Sequence, residues 1–202
     1  MTRILVAATT NAGKLREFRR LLAAVAVEVR SLADYPGAPE VVEDGATFAA
    51  NARRKAEAWA RHTGEAVLAD DSGLEVDALG GAPGVHSARY AGPHADDAAN
   101  VAKLLAALAD VPAAERGARF RCVLAVAKPD GALLLAEGTC EGRIAAAPGG
   151  GAGFGYDPVF FHPPSGRTFA ALAPEAKNAV SHRARAFAAL LPDLGAFLGG
   201  GG

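Results

Sequence analysis

The chain has 202 residues, half of them hydrophobic, enough to bury one sizeable core. Its 21 Lys and Arg are balanced by 22 Asp and Glu, a net charge of -1. That balance argues against bulk binding to a nucleic-acid backbone, which needs a basic face, but does not exclude a local pocket for one phosphorylated ligand. No stretch reaches the roughly 18 uncharged apolar residues of a membrane span. Met1-Thr2-Arg3 leads straight into a strand-like segment with no signal-peptide pattern, so the expected location is the cytoplasm, with no membrane partner. Cys122 and Cys140 lie in apolar or strand-like contexts and read as buried thiols rather than a disulfide framework.

In chain order, residues 4–8 predict a short apolar strand, and residues 9–14 a polar, Gly-containing turn. Leu15, Phe18, Leu22 and Val25 then recur at helical spacing, with Lys14 at the helix start. Residues 25–30 read as a second strand and 35–39 as loop. Thr47 is a cap for a helix from about Phe48 to Arg61, whose apolar face is Ala52, Ala56 and Trp59. Asn51 and Lys55, four apart, share one side of it. Residues 66–68 form a buried strand end, and Ala69-Asp70-Asp71-Ser72-Gly73 a strand-to-loop transition. Residues 80–92 are loop, punctuated by Gly and Pro, and Asp96 or Asp97 opens a helix burying Val101, Leu104, Leu105 and Leu108. Residues 120–127 and 133–137 flank Pro129-Asp130-Gly131 as a hairpin. Residues 149–158 form a glycine-rich loop followed by a strand at 159–161. Ser181 caps a last helix carrying Phe187, Leu190 and Leu191. Alternating strands and helices plus a hairpin predict an α/β fold with a mixed sheet. Residues 1–198 are expected to form a single domain and 199–202 a flexible glycine tail.

The Asp70-Asp71-Ser72-Gly73 stretch admits two readings. Neighbouring carboxylates are costly to ionise together unless a cation or a proton lies between them. A hard cation such as Mg²⁺ takes carboxylate oxygens and keeps water for chemistry on phosphates. The same residues also make an ordinary acidic turn. The first loop nearly imitates the G-x-x-x-x-G-K-[ST] phosphate loop. Gly13-Lys14 fits, but Ala8 replaces the first glycine and Leu15 the hydroxyl that holds Mg²⁺, which excludes a standard phosphate-loop NTPase. What remains is a helix N-terminus and Lys14, suited to an anion such as a triphosphate. A surface loop with a solvated lysine is the alternative. None of the five histidines shows the i, i+4 spacing of a helical zinc site.

Taken together, eight segments resemble one family. They are Thr9-Thr10-Asn11-Ala12-Gly13-Lys14, Glu43-Asp44-Gly45-Ala46-Thr47-Phe48, Asn51-Ala52-Arg53-Arg54-Lys55-Ala56 and Asp70-Asp71-Ser72-Gly73-Leu74, then Leu79-Gly80-Gly81-Ala82-Pro83-Gly84, Ser87-Ala88-Arg89-Tyr90, Phe154-Gly155-Tyr156-Asp157-Pro158 and Ser181-His182-Arg183. In order and spacing they resemble the noncanonical purine nucleoside triphosphate pyrophosphatases, also called inosine triphosphate pyrophosphatases or XTP/dITP diphosphatases. The resemblance runs from Ile4 to about Leu191. It implies an elongated α/β molecule, with helices flanking a mixed central sheet and two lobes around a nucleotide-binding cleft, usually as a homodimer. It implies Mg²⁺-dependent hydrolysis of ITP, dITP or XTP to the monophosphate and pyrophosphate.

By the same resemblance Asp71 is assigned to metal binding and water activation, and Glu43 is its metal partner. Thr9, Thr10, Asn11, Ala12, Gly13 and Lys14 form the triphosphate loop, with Lys55 and Ser72 near the phosphates. Phe154 is the base-stacking aromatic within Phe154-Gly155-Tyr156-Asp157, and Asp157, Lys177, His182 and Arg183 match base-recognition positions. Each has a plainer reading from its residue type alone: a solvated lysine at 55, a turn hydroxyl at 72, a core plug at 154, a structural helix-start histidine at 182. Asp70 is read as supporting the site or holding the turn. A 6-keto purine offers an O6 acceptor and an N1–H donor, and adenine the opposite pair. Donors placed for O6 therefore face adenine's amino group, at about 1–3 kcal/mol per buried unpaired donor, enough for large discrimination. A pyrophosphatase for modified pyrimidines is opposed by Phe154–Asp157 and Ser181–Arg183. A nucleotide-sensing or RNA-binding module is opposed by Glu43, Asp71 and Lys55, which a mere binder does not need.

Overall fold

The computed structural model describes residues 3–9, 12–94, 96–151 and 153–199, without the side chains of Ala12 and Gly13. Strand β1 (Arg3–Ala7) grows from the first apolar run, and Leu5, Val6 and Ala7 are fully buried. It pairs in parallel with β2 (Val27–Ser31), Leu5 opposite Val29, and with β3 (Ala66–Val76), Leu5 opposite Ala66. A parallel strand buried on both faces reads as an unbroken apolar run, as this one does. Among the described residues the sheet has seven strands in the order β2-β1-β3-β4-β5-β6-β7. The turn joining β4 (Gly117–Ala127) to β5 (Leu133–Ile144) is closed by Lys128 N–H on the Ala132 carbonyl at 2.9 Å. Strand β6 (Phe160–His162) runs antiparallel to β5, and β7 (Arg167–Thr168) antiparallel to β6. The sheet is therefore mixed, as expected for this α/β chain.

One expectation fails. Residues 69–73 are not a strand-to-loop transition, because β3 continues without a break to Val76. Strand alternation separates the two adjacent carboxylates toward different partners. The buried Leu74 and Val76 then carry the apolar pattern onward. Strand β5 likewise outruns its predicted 133–137, since its second half alternates buried and exposed residues instead of forming an apolar run.

The chain divides into two compact units. The first takes the chain up to Asp71, then Cys122–Gly138 and Ala184 onward. Its core joins Leu5, Leu68, Leu124 and Val126 to Phe18 of α1 (Ala12–Leu21) and Phe187 of α5 (His182–Gly199), whose rings meet edge-on at 5.3 Å. The same unit holds α2 (Phe48–Thr63), where Thr47 caps the start and Gly64, at φ 71°, the end. The second unit is Ser72–Arg121 and Thr139–Arg183. Its core gathers Leu74, Val76, Leu104, Phe120, Phe160 and Phe169. It includes α3 (Asp97–Ala107), capped by Asp96, and α4 (Pro174–Val180). Helix α4 escapes sequence reading because its seven residues carry no apolar stripe. Helix α5 takes in Gly199, so only residues 200–202 of the expected tail remain, and these lie outside the described residues. Cys122 and Cys140 are buried, as expected of structural thiols. Among the described residues, no helix is long and apolar enough to cross a membrane.

Candidate active site

In the first unit, two lysines meet three carboxylates. Lys14, in the first turn of α1, reaches both oxygens of the buried Asp70, at 2.9 and 3.1 Å. It is a helical residue rather than a loop one, half-buried and ion-paired. Thr9 follows β1 and its N–H donates to the Ala7 carbonyl at 2.8 Å. Thr10 and Asn11 lie outside the described residues, and Ala12 and Gly13 open α1.

Lys55 is 7 % exposed, so it is not a solvated helix lysine. Its Nζ lies 2.8 Å from Glu43 Oε2 and 3.9 Å from Asp71 Oδ1. The other Asp71 oxygen, Oδ2, accepts from Asn51 Nδ2 at 3.0 Å. Burial is the main influence on Asp71 and pushes its carboxyl up to about 6. Lys55 and Asn51 oppose that rise, while Glu43 and Asp70 reinforce it. Among the described residues no three His, Cys, Asp or Glu side chains are grouped to hold a metal ion. Glu43 and Asp71 are the carboxylates that share a cation here, and that cation is Lys55.

Glu43 owes its place to the helix that follows it. Residues 36–45 run back along α2, fastened at successive turns. His62 Nε2 lies 3.3 Å from the Pro36 carbonyl, and Trp59 Nε1 donates to the Pro39 carbonyl at 2.9 Å. Lys55 takes Glu43, and Asn51 Oδ1 accepts from Gly45 N–H at 2.8 Å. Positions 51, 55, 59 and 62 share one helix face. Arg54 adds bonds to the Val42 carbonyl and to the exposed Asp44.

In the second unit, Ser72 lies within β3, not in a turn. Phe154 is 55 % exposed and so is no core plug. Its N–H donates to Asp157 Oδ2 at 3.0 Å, and Gly155 N–H donates to Asp97 Oδ2 at 2.6 Å. Gly153 (φ +91°) must lack a side chain, because a Cβ there would come 2.3 Å from Asp157 Oδ2. Asp157 is 3 % exposed and accepts from Lys177 Nζ of α4 at 2.5 Å. The same ammonium sits 4.6 Å from the Phe154 ring centroid, a cation–π distance. Phe154, Asp157 and Lys177 thus form one group. Tyr156 turns away from it: its ring is buried in the core, and its hydroxyl donates to the Ser87 carbonyl at 2.8 Å. Burial raises the Tyr156 phenol well above its ordinary value. His182 and Arg183 open α5, both buried, with His182 stacked on Phe120 at 4.8 Å and 18°.

Asn51 and Asp97 were not assigned to the site from sequence. An amide between two alanines, one turn before Lys55, is the signal the sequence offers for Asn51. Asp97 had none, since two adjacent aspartates at a helix start both read as caps.

The fold and these residue groups define an α/β protein with buried carboxylates held against lysines and an aromatic ring presented on a glycine loop. The Ham1 family model matches residues 5–193. A dITP/XTP pyrophosphatase of Geobacillus kaustophilus is 57% identical over 198 residues, 98% of this chain and 97% of its own length. The solved structure of a HAM1 protein from Coxiella burnetii superposes with a TM-score of 0.89 at 42% identity, covering 95% of this chain and 98% of that one. A nucleoside-triphosphatase / dITP/XTP pyrophosphatase from Mycobacterium abscessus gives a TM-score of 0.79 at 50% identity, covering 95% and 99%. The chain belongs to the Ham1 family.

Proposed function

We propose that this chain is a nucleoside triphosphate pyrophosphatase that hydrolyses ITP, dITP and XTP to the monophosphate and pyrophosphate, clearing deaminated purines from the nucleotide pool. Water attacks the α-phosphorus, the bond to the bridging oxygen breaks, and pyrophosphate leaves with that oxygen. The observation that carries the reading is the approach of Glu43 and Asp71 to one buried ammonium, at 2.8 and 3.9 Å. Two oxygen donors already arranged about a positive charge fit Mg²⁺, which takes one or two carboxylates and fills its shell with phosphate oxygens and water. Bound Mg²⁺ supplies charge neutralisation on the phosphates and a more acidic water.

Glu43 and Asp71 would hold that ion, and Asp71 would also direct the attacking water. Lys55 and Lys14 neutralise charge spread over the phosphoryl oxygens. Lys14 acts with Thr9, Ser72 and the N-terminus of α1, which opens at Ala12 and Gly13 and whose first-turn N–H groups have no partner within the helix. Thr10 and Asn11 are proposed to bind the same phosphates. Phe154 stacks on the purine, while Asp157, Lys177, His182 and Arg183 read its 6-keto edge. Gly155 and Tyr156 contribute backbone and shape. The proposed working form is a cytoplasmic homodimer in which residues 1–198 act as one domain.

Pyrophosphate release from ITP, dITP and XTP, set beside ATP and GTP, with Mg²⁺ and with chelator, tests this. Fast Mg²⁺-dependent release from the first three alone is the expected result. Equal rates on ATP would remove the base-recognition assignments, and silence on every nucleotide would remove the activity.

A further inference from the structure

We infer that Asn51 is a positioning residue that sets Glu43 and Asp71 in place for a divalent cation, an inference that rests on the metal-site reading above. Asn51 is 1 % exposed, beside Ala52 and Ala56, which are fully buried. A buried amide must be satisfied at both ends, and this one is satisfied by the two segments that carry the carboxylates. Its Oδ1 accepts from Gly45 N–H at 2.8 Å, two residues after Glu43. Its Nδ2 donates to Asp71 Oδ2 at 3.0 Å on β3. One planar group therefore spans the loop and the strand.

The residue type is specific to that task. Aspartate at 51 has no proton to donate and would set a second carboxylate against Asp71. Glutamine is one methylene too long, and an apolar residue orphans both partners. Engaging Oδ2 also turns Asp71 so that Oδ1 is the oxygen nearest Lys55, at 3.9 Å. The loop is shaped around the amide: a Cβ at Gly45 would lie 2.6 Å from Asn51 Oδ1 and 3.1 Å from Ala50 Cβ. Gly45→Ala thus displaces the same amide without touching residue 51.

The test is Mn²⁺ binding to the full chain without nucleotide, followed by electron paramagnetic resonance of the unbound ion, with circular dichroism for folding. Asn51→Ala and Gly45→Ala should each weaken Mn²⁺ about 10–100-fold, the usual effect of removing a group that orients a metal ligand. Thr47→Ala loses the cap of the same helix and should leave Mn²⁺ affinity within about twofold of wild type. Asp71→Asn and Glu43→Gln test the underlying reading. If they abolish binding while a folded Asn51→Ala or Gly45→Ala retains it, the positioning role is refuted and the metal site stands. If Thr47→Ala weakens binding as much as Asn51→Ala, the effect is helix stability and the positioning role is refuted. If Asp71→Asn and Glu43→Gln bind like wild type, the metal site itself falls, and the inference with it.

Discussion

Replacing Asp71 with asparagine should stabilise the metal-free protein while destroying its activity. The carboxyl is held at about 6 against an ordinary 3.8, mainly by burial. A raised carboxyl favours its protonated form in the folded state. Its contribution to stability is therefore complete below about pH 3.8 and lost as the pH rises through about 6. A shift of roughly two units is worth about 3 kcal/mol. Asparagine keeps the shape and carries no charge to desolvate, although Lys55 loses a partner 3.9 Å away. A net gain of about 2 kcal/mol above pH 7 follows, or about 4–8 °C in Tm for a chain of this size. The assay is thermal unfolding in chelator at pH 4 and pH 8, for wild type and Asp71→Asn. The two should nearly coincide at pH 4 and separate at pH 8, with the variant higher. Turnover of ITP with saturating Mg²⁺ should fall by at least about 100-fold. A gap that is absent, reversed or equal at both pH values would refute burial as the cause of the shift. Near-normal turnover would refute the catalytic assignment of Asp71.

Three further outcomes are expected. Phe154→Ala removes an exposed ring, so its unfolding midpoint should move by less than about 0.5 kcal/mol, while nucleotide binding measured by calorimetry weakens and the Mg²⁺ dependence of turnover stays put. Lys177→Met leaves Asp157 buried without its cation and should cost about 3–5 kcal/mol in a denaturant melt; adding Asp157→Asn to it should recover a large part of that loss. Gly150→Ala sets a Cβ 2.4 Å from the Ala170 carbonyl carbon at φ +84°, so the protein should be destabilised by more than about 2 kcal/mol, seen as a drop in Tm with no change in substrate preference among the molecules that remain folded.

What the sequence revealed depended on how locally each feature is encoded. The α2 region was legible because a capping threonine, a 3.6-residue apolar stripe and two polar residues four apart all act within one helix. The first strand was legible because a strand buried on both sides announces itself as an apolar run. The acidic stretch misled, because Asp, Ser and Gly favour turns only until pairing partners hold them extended. Nothing near residue 71 in sequence reveals that residues 51 and 55 wait opposite it. Tyr156 was drawn into the site by its neighbours Phe154 and Asp157, yet its hydroxyl found a buried carbonyl and its ring the core. Lys55 and Lys14 were weak as isolated lysines; their pairing with carboxylates, Lys55 buried and Lys14 partly so, is a tertiary fact that composition cannot hold.

The lacing of residues 36–45 onto α2 also bears on how this part of the molecule folds. Its fastenings span 26, 20, 12 and 6 residues, shortening steadily toward the helix start. Short loops close at little entropic cost, and local contacts form fast. Segment and helix can zip together from the Thr47 end, each bond shortening the loop that the next must close. On that route the carboxylate of Glu43 can be set on its helix before long-range strand pairing is made. Asp71, 20 residues beyond Asn51, arrives on a strand whose place depends on the sheet. A variant that slows sheet assembly should therefore delay the docking of Asp71 while leaving Glu43 already in position, and hydrogen exchange during refolding would see the two as separate events.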